Sequence, residues 1–320
     1  MRTIDSCPIC GEQQFSTLLT RAVTYPGNDL YANLLDIDYV RNYILFEKVL
    51  HHRDTMEFTF EMCMHCGFIF FNPRPEEEDM AIKYAVMDEL RDTELRAAQC
   101  GIPIYDDKRA WEIFTSLRRY REPGGLNVVD VGGANGYNLK RFVTKNSCFV
   151  VDYGERDLID GVNYLGKTMS EIPSTMSFDI VLCCHTLEHV VNPVAEVMNI
   201  QHTMSPGGLL YIEVPLGCHD EYKHTRNFLT HINFFSEGSI RHLLSACNMK
   251  LRYITTKLTT IRWFRWLSIV AIAQNSPPDL PAPKGYEITV RQMNNLVYHL
   301  WRWIGHQQSW FERLLYRMKA

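Results

Sequence analysis

Short apolar runs alternate with helical patterns between residue 126 and about residue 275. Alternation of this kind is typical of βαβ units, which build a mainly parallel sheet with helices on both faces. The predicted strands span 127–131, 148–152, 161–165, 178–184, 209–214, 251–256 and 267–273, and a last helix is predicted over 237–247. The pattern therefore predicts an α/β domain built on a doubly wound sheet of seven strands.

Segments of a different character flank this domain. The run Asn72-Pro73-Arg74-Pro75 is predicted to end a strand and close a small N-terminal module, which contains a helical pattern over 29–50. A proline-rich stretch after residue 276 is typical of a linker. The predicted regions are the module at 1–80, a helical connector at 81–125, the α/β domain at 126–275, and the linker with a helical tail at 276–320.

Composition narrows the class of protein. Of the 320 residues, 46% are hydrophobic and 22% are charged, as in soluble globular proteins. No apolar run has the length of a membrane span, and the N-terminus becomes polar at once, so a cytoplasmic location is expected. The formal net charge of −4 gives no general attraction to a phosphate backbone, so nucleic acid is not expected as the main partner.

Two matched cysteine pairs indicate a metal site. Cys7-Pro8-Ile9-Cys10-Gly11 and Cys63-Met64-His65-Cys66-Gly67 each place two thiols beside a glycine that permits a tight turn. In a chain expected in the cytoplasm, such pairs are typical of metal ligands rather than disulfides. We predict one structural zinc ion bound by Cys7, Cys10, Cys63 and Cys66; the alternative is a set of unrelated buried thiols.

A glycine-rich turn follows the first strand of the α/β domain. The strand ends near Asp130, the loop is Gly132-Gly133-Ala134-Asn135-Gly136, and a helix is predicted from about Tyr137. The spacing differs from the G-x-G-x-x-G pattern of dinucleotide-binding proteins, because Tyr137 stands where that pattern needs a small residue. Asp152, at the end of the next strand, is suited to bind the hydroxyls of a ribose. The loop therefore predicts a ligand with a ribose and a small anionic group.

Taken together, these motifs resemble those of class I S-adenosylmethionine-dependent methyltransferases. The matching stretches are Val128 to Gly136, Asp152, Phe178 to Val190 and Met204 to Leu210. The resemblance implies a Rossmann-like fold and S-adenosylmethionine as cofactor. The cofactor-binding residues that it implies are Asp130, Gly132, Gly133, Asn135, Gly136, Asp152, Thr168 and His185.

A narrower resemblance concerns the substrate. The two cysteine pairs, Asn72-Pro73-Arg74-Pro75, and His231 before Phe234-Phe235-Ser236 resemble features of sugar C-methyltransferases and relatives from bacterial polysaccharide and antibiotic clusters. The resemblance implies a nucleotide-activated or glycan-linked sugar as substrate and His231 as general base. Thr230 stands where that family has a glutamate, so O-methylation is equally open. The alternative for His231 is a hydrogen-bonding role in the substrate loop.

His185, Glu188 and His189 form a second candidate cluster. At positions i, i+3 and i+4 they fall on one face of a helix start, where His231 is able to join them. The arrangement resembles the metal site of small-RNA 3′-end methyltransferases, in which a divalent ion orients two ribose hydroxyls. It implies an RNA methyltransferase as the alternative function, with His185, Glu188, His189 and His231 as potential metal ligands; His185 stands where that family has a glutamate. His185 is also a candidate catalytic base, because it lies at the carboxyl end of a predicted strand, where ligands of such sheets bind. The alternative is that no metal binds here, and that Glu188 and His189 make only structural contacts.

Two predictions concern partners. The tail places Trp301, Trp303 and Trp310 among basic residues, which is typical of a membrane-surface contact, of packing on the chain's own domain or of a homodimer. A chain with this fold is also able to serve as a non-catalytic binding subunit. The intact glycine loop and Asp152 favour an enzyme over that alternative.

Overall fold

The computed structural model describes residues 1–25, 37–91, 107–154, 157–219, 221–225, 228–261, 264–301 and 303. Among these residues, none of the helices is both long and apolar enough to cross a membrane. The tail beyond Trp303 lies outside the described residues, so its role stays a prediction.

The main sheet has the seven strands that the apolar pattern predicts, and it forms the Rossmann-like α/β fold that the family resemblance implies. The strands are β4 (Asn127–Val131), β5 (Ser147–Val151), β6 (Val162–Gly166), β7 (Phe178–Cys184), β8 (Met204–Pro215), β10 (Lys250–Ile261) and β11 (Phe264–Gln274). Their order is β10-β11-β8-β7-β4-β5-β6. The strands β4 to β8 run parallel, whereas β11 is antiparallel to both neighbours. The loops after β4, β5, β7 and β8 therefore meet at one edge of the sheet.

A second, antiparallel sheet belongs mainly to the N-terminal module. It contains β1 (Phe15–Thr24), β2 (Thr55–Cys63), β3 (Ile69–Asn72) and β9 (Asn233–Phe234), in that order. The last of these comes from the α/β half of the chain, and Phe234 and Asn233 pair with Ile69 and Phe70 of β3. The two sheets are therefore joined through the segment that directly follows His231.

Helices cover the main sheet and connect the two halves. They are α1 (Ile37–Tyr43), which continues as a π-helix (Ile44–Val49), then α2 (Glu77–Arg91), α3 (Asp107–Leu117), α4 (Pro193–His202), α5 (Glu221–His224), α6 (Glu237–Ala246) and α7 (Gly285–Met293). The helical insertion predicted over 29–50 is seen from residue 37, and its earlier part lies outside the described residues.

One predicted helix is wrong. After the glycine loop the chain forms only a 3-10 helix at Tyr137–Leu139, and the residues between this helix and β5 form turns. Asn138 in this segment bonds back to the preceding strand, since its Nδ2 donates to Asp130 Oδ2 at 3.0 Å. Asn and β-branched residues also have low helix propensity.

The module packs tightly on the loop after β8. The rings of Phe58 and Phe228 are stacked with centroids 4.0 Å apart, and Phe60 lies 6.0 Å from Tyr222. Arg21 of β1 donates from its guanidinium to the carbonyls of Thr225 and Lys223. The apolar core is continuous between the two halves, since buried residues of the module and of the main sheet belong to one cluster. The module is therefore one wall of the site formed by this loop.

Candidate active site

The glycine loop adopts a conformation that its sequence makes possible. Gly132 has φ +69° and Gly136 has φ +79°, in the left-handed region that favours glycine. A Cβ at Gly132 would lie 2.3 Å from Thr186 Oγ1, and a Cβ at Gly136 would lie 2.9 Å from Val162 Cγ1. Both glycines are therefore required by the close packing of the loop against the ends of neighbouring strands. Asn135 has a local role as well, because its carbonyl accepts from Ile159 N at 3.0 Å.

Asp152 directly follows β5 and holds the loop. Its Oδ2 accepts from Ala134 N at 2.9 Å, and its Oδ1 accepts from Gly154 N at 2.9 Å. Each carboxylate oxygen keeps further acceptor capacity after one such bond. Asp152 is partly exposed, so it fits the role of accepting the two hydroxyls of a ribose while it supports the loop.

Asp130 lies fully buried at the base of the loop. Burial raises the pKa of its carboxyl group to about 7, although Asn138 donates to Oδ2 and thereby opposes this rise. Its Oδ1 has no hydrogen-bond partner among the described residues. A Cβ at Gly133 would lie 2.6 Å from the Asp130 carboxyl carbon. A buried acceptor without a partner beside a glycine loop fits a ligand that brings its own donor, such as an ammonium group.

Thr168, one of the cofactor-binding residues implied by the sequence, lies after β6, and its Oγ1 is 2.9 Å from Ser170 Oγ. The sequence motifs did not single out Glu171 and Tyr153, which follow β6 and β5. Glu171 Oε2 accepts from Lys167 N at 3.0 Å. Tyr153, next to Asp152, stacks on Tyr84 of α2 with centroids 5.3 Å apart. An aromatic residue after an acid is too weak a pattern to be found without the fold.

His185, at the end of β7, lies between two buried carboxylates. Its Nδ1 is 3.1 Å from Glu188 Oε1, and its Nε2 is 3.1 Å from Glu213 Oε1. Arg109 of α3 reaches the same Glu213 oxygen at 3.1 Å. Burial alone disfavours the charged imidazole, but the two carboxylates outweigh it and raise the pKa of His185 to about 9. The ring is therefore an imidazolium at neutral pH and has no free nitrogen to accept a proton.

Glu188, His189 and His231 converge, and His185 stands outside this group. One ligand atom from each of the three lies within 4.8 Å of the others. His189 Nδ1 is 2.8 Å from the Thr230 carbonyl, which leaves Nε2 as the free nitrogen. Burial lowers the pKa of His189 to about 3, so its ring is neutral. Glu188 Oε2 has no hydrogen-bond partner among the described residues.

His231 has a carboxylate partner of its own. Its Nδ1 contacts Glu221 Oε1 of α5. Burial opposes protonation of the ring, but the Glu221 charge and hydrogen bond prevail and raise the pKa of His231. No sequence motif singles out Glu221. The fold brings its carboxylate to the imidazole of His231, an arrangement that suits a general base and an orienting acid.

The four cysteines of the two predicted pairs meet at one point. The Sγ atoms of Cys7 and Cys66 are 3.6 Å apart, and those of Cys10 and Cys63 are 3.5 Å apart. All four Sγ atoms lie within 4.8 Å of one another. Tetrahedral zinc with bonds of about 2.3 Å to sulfur requires sulfur atoms separated by roughly 3.8 Å, so the donor set fits such an ion.

The comparisons with known proteins agree with this geometry. The model of a methyltransferase domain family matches residues 105–254. Two curated relatives are ubiquinone biosynthesis O-methyltransferases from Rickettsia canadensis and Rickettsia felis, 26% identical over 105 residues and 27% identical over 109 residues. Each match covers 29% of this chain and less than half of the relative, at 44% and 43% of its length.

A solved structure shares the fold. The 1,6-didemethyltoxoflavin-N1-methyltransferase of Burkholderia thailandensis, determined with its substrate and S-adenosylhomocysteine, has a TM-score of 0.50 and 14% identity. The match covers 68% of this chain and 96% of that protein. Residues 105–254 therefore form a methyltransferase domain, and the chain shares its fold with this methyltransferase.

Proposed function

We propose that the protein transfers a methyl group from S-adenosylmethionine to an oxygen or carbon atom of a sugar, either nucleotide-activated or glycan-linked, with His231 as general base. The single observation that carries the mechanism is the contact of His231 Nδ1 with Glu221 Oε1, in the loop after β8. The sugar class rests on the resemblance of the cysteine pairs, Asn72-Pro73-Arg74-Pro75 and the His231 region to sugar methyltransferases. The two Rickettsia relatives are named O-methyltransferases, which favours a hydroxyl group as the methyl acceptor.

The cofactor, when bound, supplies a methyl group on a positively charged sulfur that leaves as a neutral thioether. Asp152 is proposed to accept the ribose hydroxyls, and the loop around Gly132 and Gly136 to hold the methionine end. Asp130 Oδ1 is the proposed acceptor for the ammonium group, since it is buried and has no partner among the described residues. Thr168 and Glu171 are proposed to border the adenine.

His231 is suited to take the proton of the acceptor hydroxyl on Nε2 as oxygen forms its bond to the methyl carbon. Glu221 fixes the ring through Nδ1 and stabilises the imidazolium that results. The loop lies beyond the carboxyl ends of the parallel strands, where ligands of such sheets bind. Ile232 N donates to the Glu188 carbonyl at 2.9 Å, and Thr186 Oγ1 donates to the Val131 carbonyl at 2.9 Å. These bonds connect the base to the start of the glycine loop.

A second candidate function uses a divalent metal. Glu188 Oε2, His189 Nε2 and His231 Nε2 offer one carboxylate and two imidazoles, a donor set that suits several divalent ions. The Nδ1 atoms of both histidines are taken by a carbonyl and a carboxylate, as is usual for metal-binding histidines. Such an ion would orient two neighbouring hydroxyls, such as those of a terminal ribose in RNA. His185 is not proposed as a ligand, because its two ring nitrogens face the carboxylates of Glu188 and Glu213.

For the N-terminal module we propose a structural zinc ion on Cys7, Cys10, Cys63 and Cys66. A site closed by four thiolates leaves no position for substrate, so its role is to hold the module together. The second cysteine loop also receives α7: Tyr286 N donates to the His65 carbonyl at 3.1 Å and Thr289 Oγ1 to the Gly67 carbonyl at 3.1 Å.

The test is methyl transfer from labelled S-adenosylmethionine to a panel of nucleotide sugars, free sugars, catechols and short RNA with a terminal ribose. The proposal expects transfer to a sugar that is lost in His231→Asn and kept in His202→Asn, a matched change on the exposed end of α4. Transfer to RNA or catechol that depends on added Mg²⁺ or Mn²⁺ would favour the metal-assisted reaction. Cofactor binding without transfer to any acceptor would favour a binding subunit.

A further inference from the structure

Arg74, in the proline-flanked segment after β3, carries a buried charge with neutral partners. Its side chain is 3% exposed, and burial lowers the pKa of the guanidinium to about 10, so it remains charged at neutral pH. Its Nη2 donates to the Val191 carbonyl at 2.8 Å and to Asn233 Oδ1 at 3.0 Å. Both acceptors belong to the α/β half of the chain. Arg74 therefore extends from the N-terminal module into the neighbourhood of the candidate base.

Asn233 continues this connection. Its Nδ2 donates to the Leu187 carbonyl at 2.7 Å and to the Val190 carbonyl at 2.7 Å. Leu187 and Val190 are the residues directly before and after Glu188 and His189 in the sequence. The Asn233 side chain is therefore an acceptor towards Arg74 and a donor towards the 3-10 helix Leu187–His189, which carries Glu188 and His189.

The backbone of Asn233 is fixed from the opposite side. It pairs with Phe70 of β3, inside the sheet of the N-terminal module. His231 lies two residues earlier on the same segment, and the intervening Ile232 N donates to the Glu188 carbonyl at 2.9 Å. The position of His231 relative to Glu188 and His189 thus depends on the bonds made by Asn233 and by its neighbour Ile232.

We infer that Arg74 and Asn233 are positioning residues, which hold Glu188, His189 and His231 in a fixed mutual geometry from the N-terminal module. The inference rests on the proposed role of these three groups in methyl transfer. It gives the Asn72-Pro73-Arg74-Pro75 run a task in catalysis besides ending a strand. Arginine suits this task because its planar fork presents several donors in a fixed geometry to acceptors on two segments, whereas lysine is a single flexible point charge.

Two substitutions separate positioning from plain stability. Arg74→Lys keeps the positive charge and removes the planar guanidinium group with its fixed set of donors. Asn233→Asp keeps the acceptor for Arg74, as an ion pair, and removes the donor to Leu187 and Val190. Arg121→Lys is the matched control, because Arg121 Nη2 binds Asp179 Oδ1 at 2.7 Å at the opposite end of the main sheet.

The first measurement is single-turnover methyl transfer with the acceptor found for the wild-type enzyme, together with S-adenosylhomocysteine affinity. We expect the rate to fall by up to about 100-fold in Arg74→Lys and Asn233→Asp, with cofactor affinity within twofold and Arg121→Lys unchanged. Rates within twofold of the wild type in both variants would overturn the inference. So would an equal loss in Arg121→Lys.

A second measurement needs no acceptor and therefore separates this inference from the proposed function. The Nδ1 proton of His189 is bonded to the Thr230 carbonyl and is observable by NMR in labelled protein. We expect it to exchange with solvent faster in both variants than in the wild type and in Arg121→Lys. Equal exchange in all four proteins would overturn the positioning role even if the wild-type enzyme methylates no acceptor in the panel.

Discussion

His185 Nε2 lies 3.1 Å from Glu213 Oε1, and this contact decides what His185 is able to do. With Glu188 on the other ring nitrogen at 3.1 Å, the imidazole is held as a cation between two carboxylates. Those carboxyl groups are buried, which by itself favours their neutral forms, yet Arg109 and His185 lower the pKa of Glu213 to about 2. This geometry suits His185 to a structural role at the end of β7, whereas the proposed general base is His231.

This ion pair makes stability depend on pH in a defined direction. The pKa of His185 rises from 6.5 to about 9 on folding, so its contribution is complete below pH 6.5 and is lost as the pH rises through about 9. We expect the free energy of unfolding to fall over this range by on the order of 3 kcal/mol. His185→Asn, which tolerates the φ of 54° at this position, should lack this fall. Urea unfolding at several pH values measures it.

The control for that experiment is His202→Asn, which should behave as the wild type. A pH dependence that is identical in the wild type and in His185→Asn would contradict the assignment of the imidazolium.

Removal of the Glu221 carboxylate should change the pH profile of methyl transfer. Glu221 raises the pKa of His231, and the base works only when it is deprotonated, so the wild-type rate should increase as pH rises through that raised pKa. In Glu221→Gln the pKa of His231 falls, and the acidic limb of the profile should move to lower pH. The maximal rate should also fall, because the imidazolium loses its stabilising charge. An acidic limb at the same pH in both enzymes would show that His231 is not the titrating base.

Asp152 should govern cofactor affinity. Each hydrogen bond to a charged group contributes about 1.5–3 kcal/mol, so Asp152→Ala is expected to weaken S-adenosylhomocysteine binding at least about 10-fold. Asp160→Ala, an exposed acid nearby, is the matched control and should bind as the wild type. Calorimetry measures both affinities, and circular dichroism checks the fold. Equal affinity of Asp152→Ala and the wild type would remove the ribose assignment.

The four-cysteine cluster should contain zinc and support α7. Purified protein is expected to hold about one zinc ion per chain, and Cys63→Ser to lose it, whereas Cys148→Ala in β5 should keep it. Because α7 bonds to the carbonyls of His65 and Gly67, hydrogen exchange should accelerate in α7 as well as in β3 after chelation. Wild-type protein without zinc, or a chelated protein with unchanged exchange, would contradict this role.

Local patterns predicted much of this architecture. The seven strands of the main sheet are short apolar runs, so the sequence alone identifies them. The glycine loop could also be predicted from the sequence, because its backbone conformation requires glycine at fixed positions. The helix expected after Tyr137 does not form, in a segment that contains Asn138 and Asn146, two residues of low helix propensity. The four thiols also meet as their matched spacing predicts.

Contacts between segments that are distant along the chain could not be predicted from the sequence. Glu213 lies inside an apolar strand, and no pattern in the sequence indicates that its side chain faces His185. The two-residue strand β9 is too short to show a period, yet it attaches the module to the segment after His231. Glu221 and Glu171 become site residues only when the fold brings them to His231 and to the end of β6. Such pairs depend on tertiary packing, which a single sequence does not display.

The most direct test of the account is isothermal titration of the purified protein with S-adenosylmethionine and S-adenosylhomocysteine. We expect one binding site per chain, with micromolar or tighter affinity for both compounds and loss of binding in Asp152→Ala. Absence of binding to either compound by folded wild-type protein would contradict the claim that the glycine loop and Asp152 form a cofactor site.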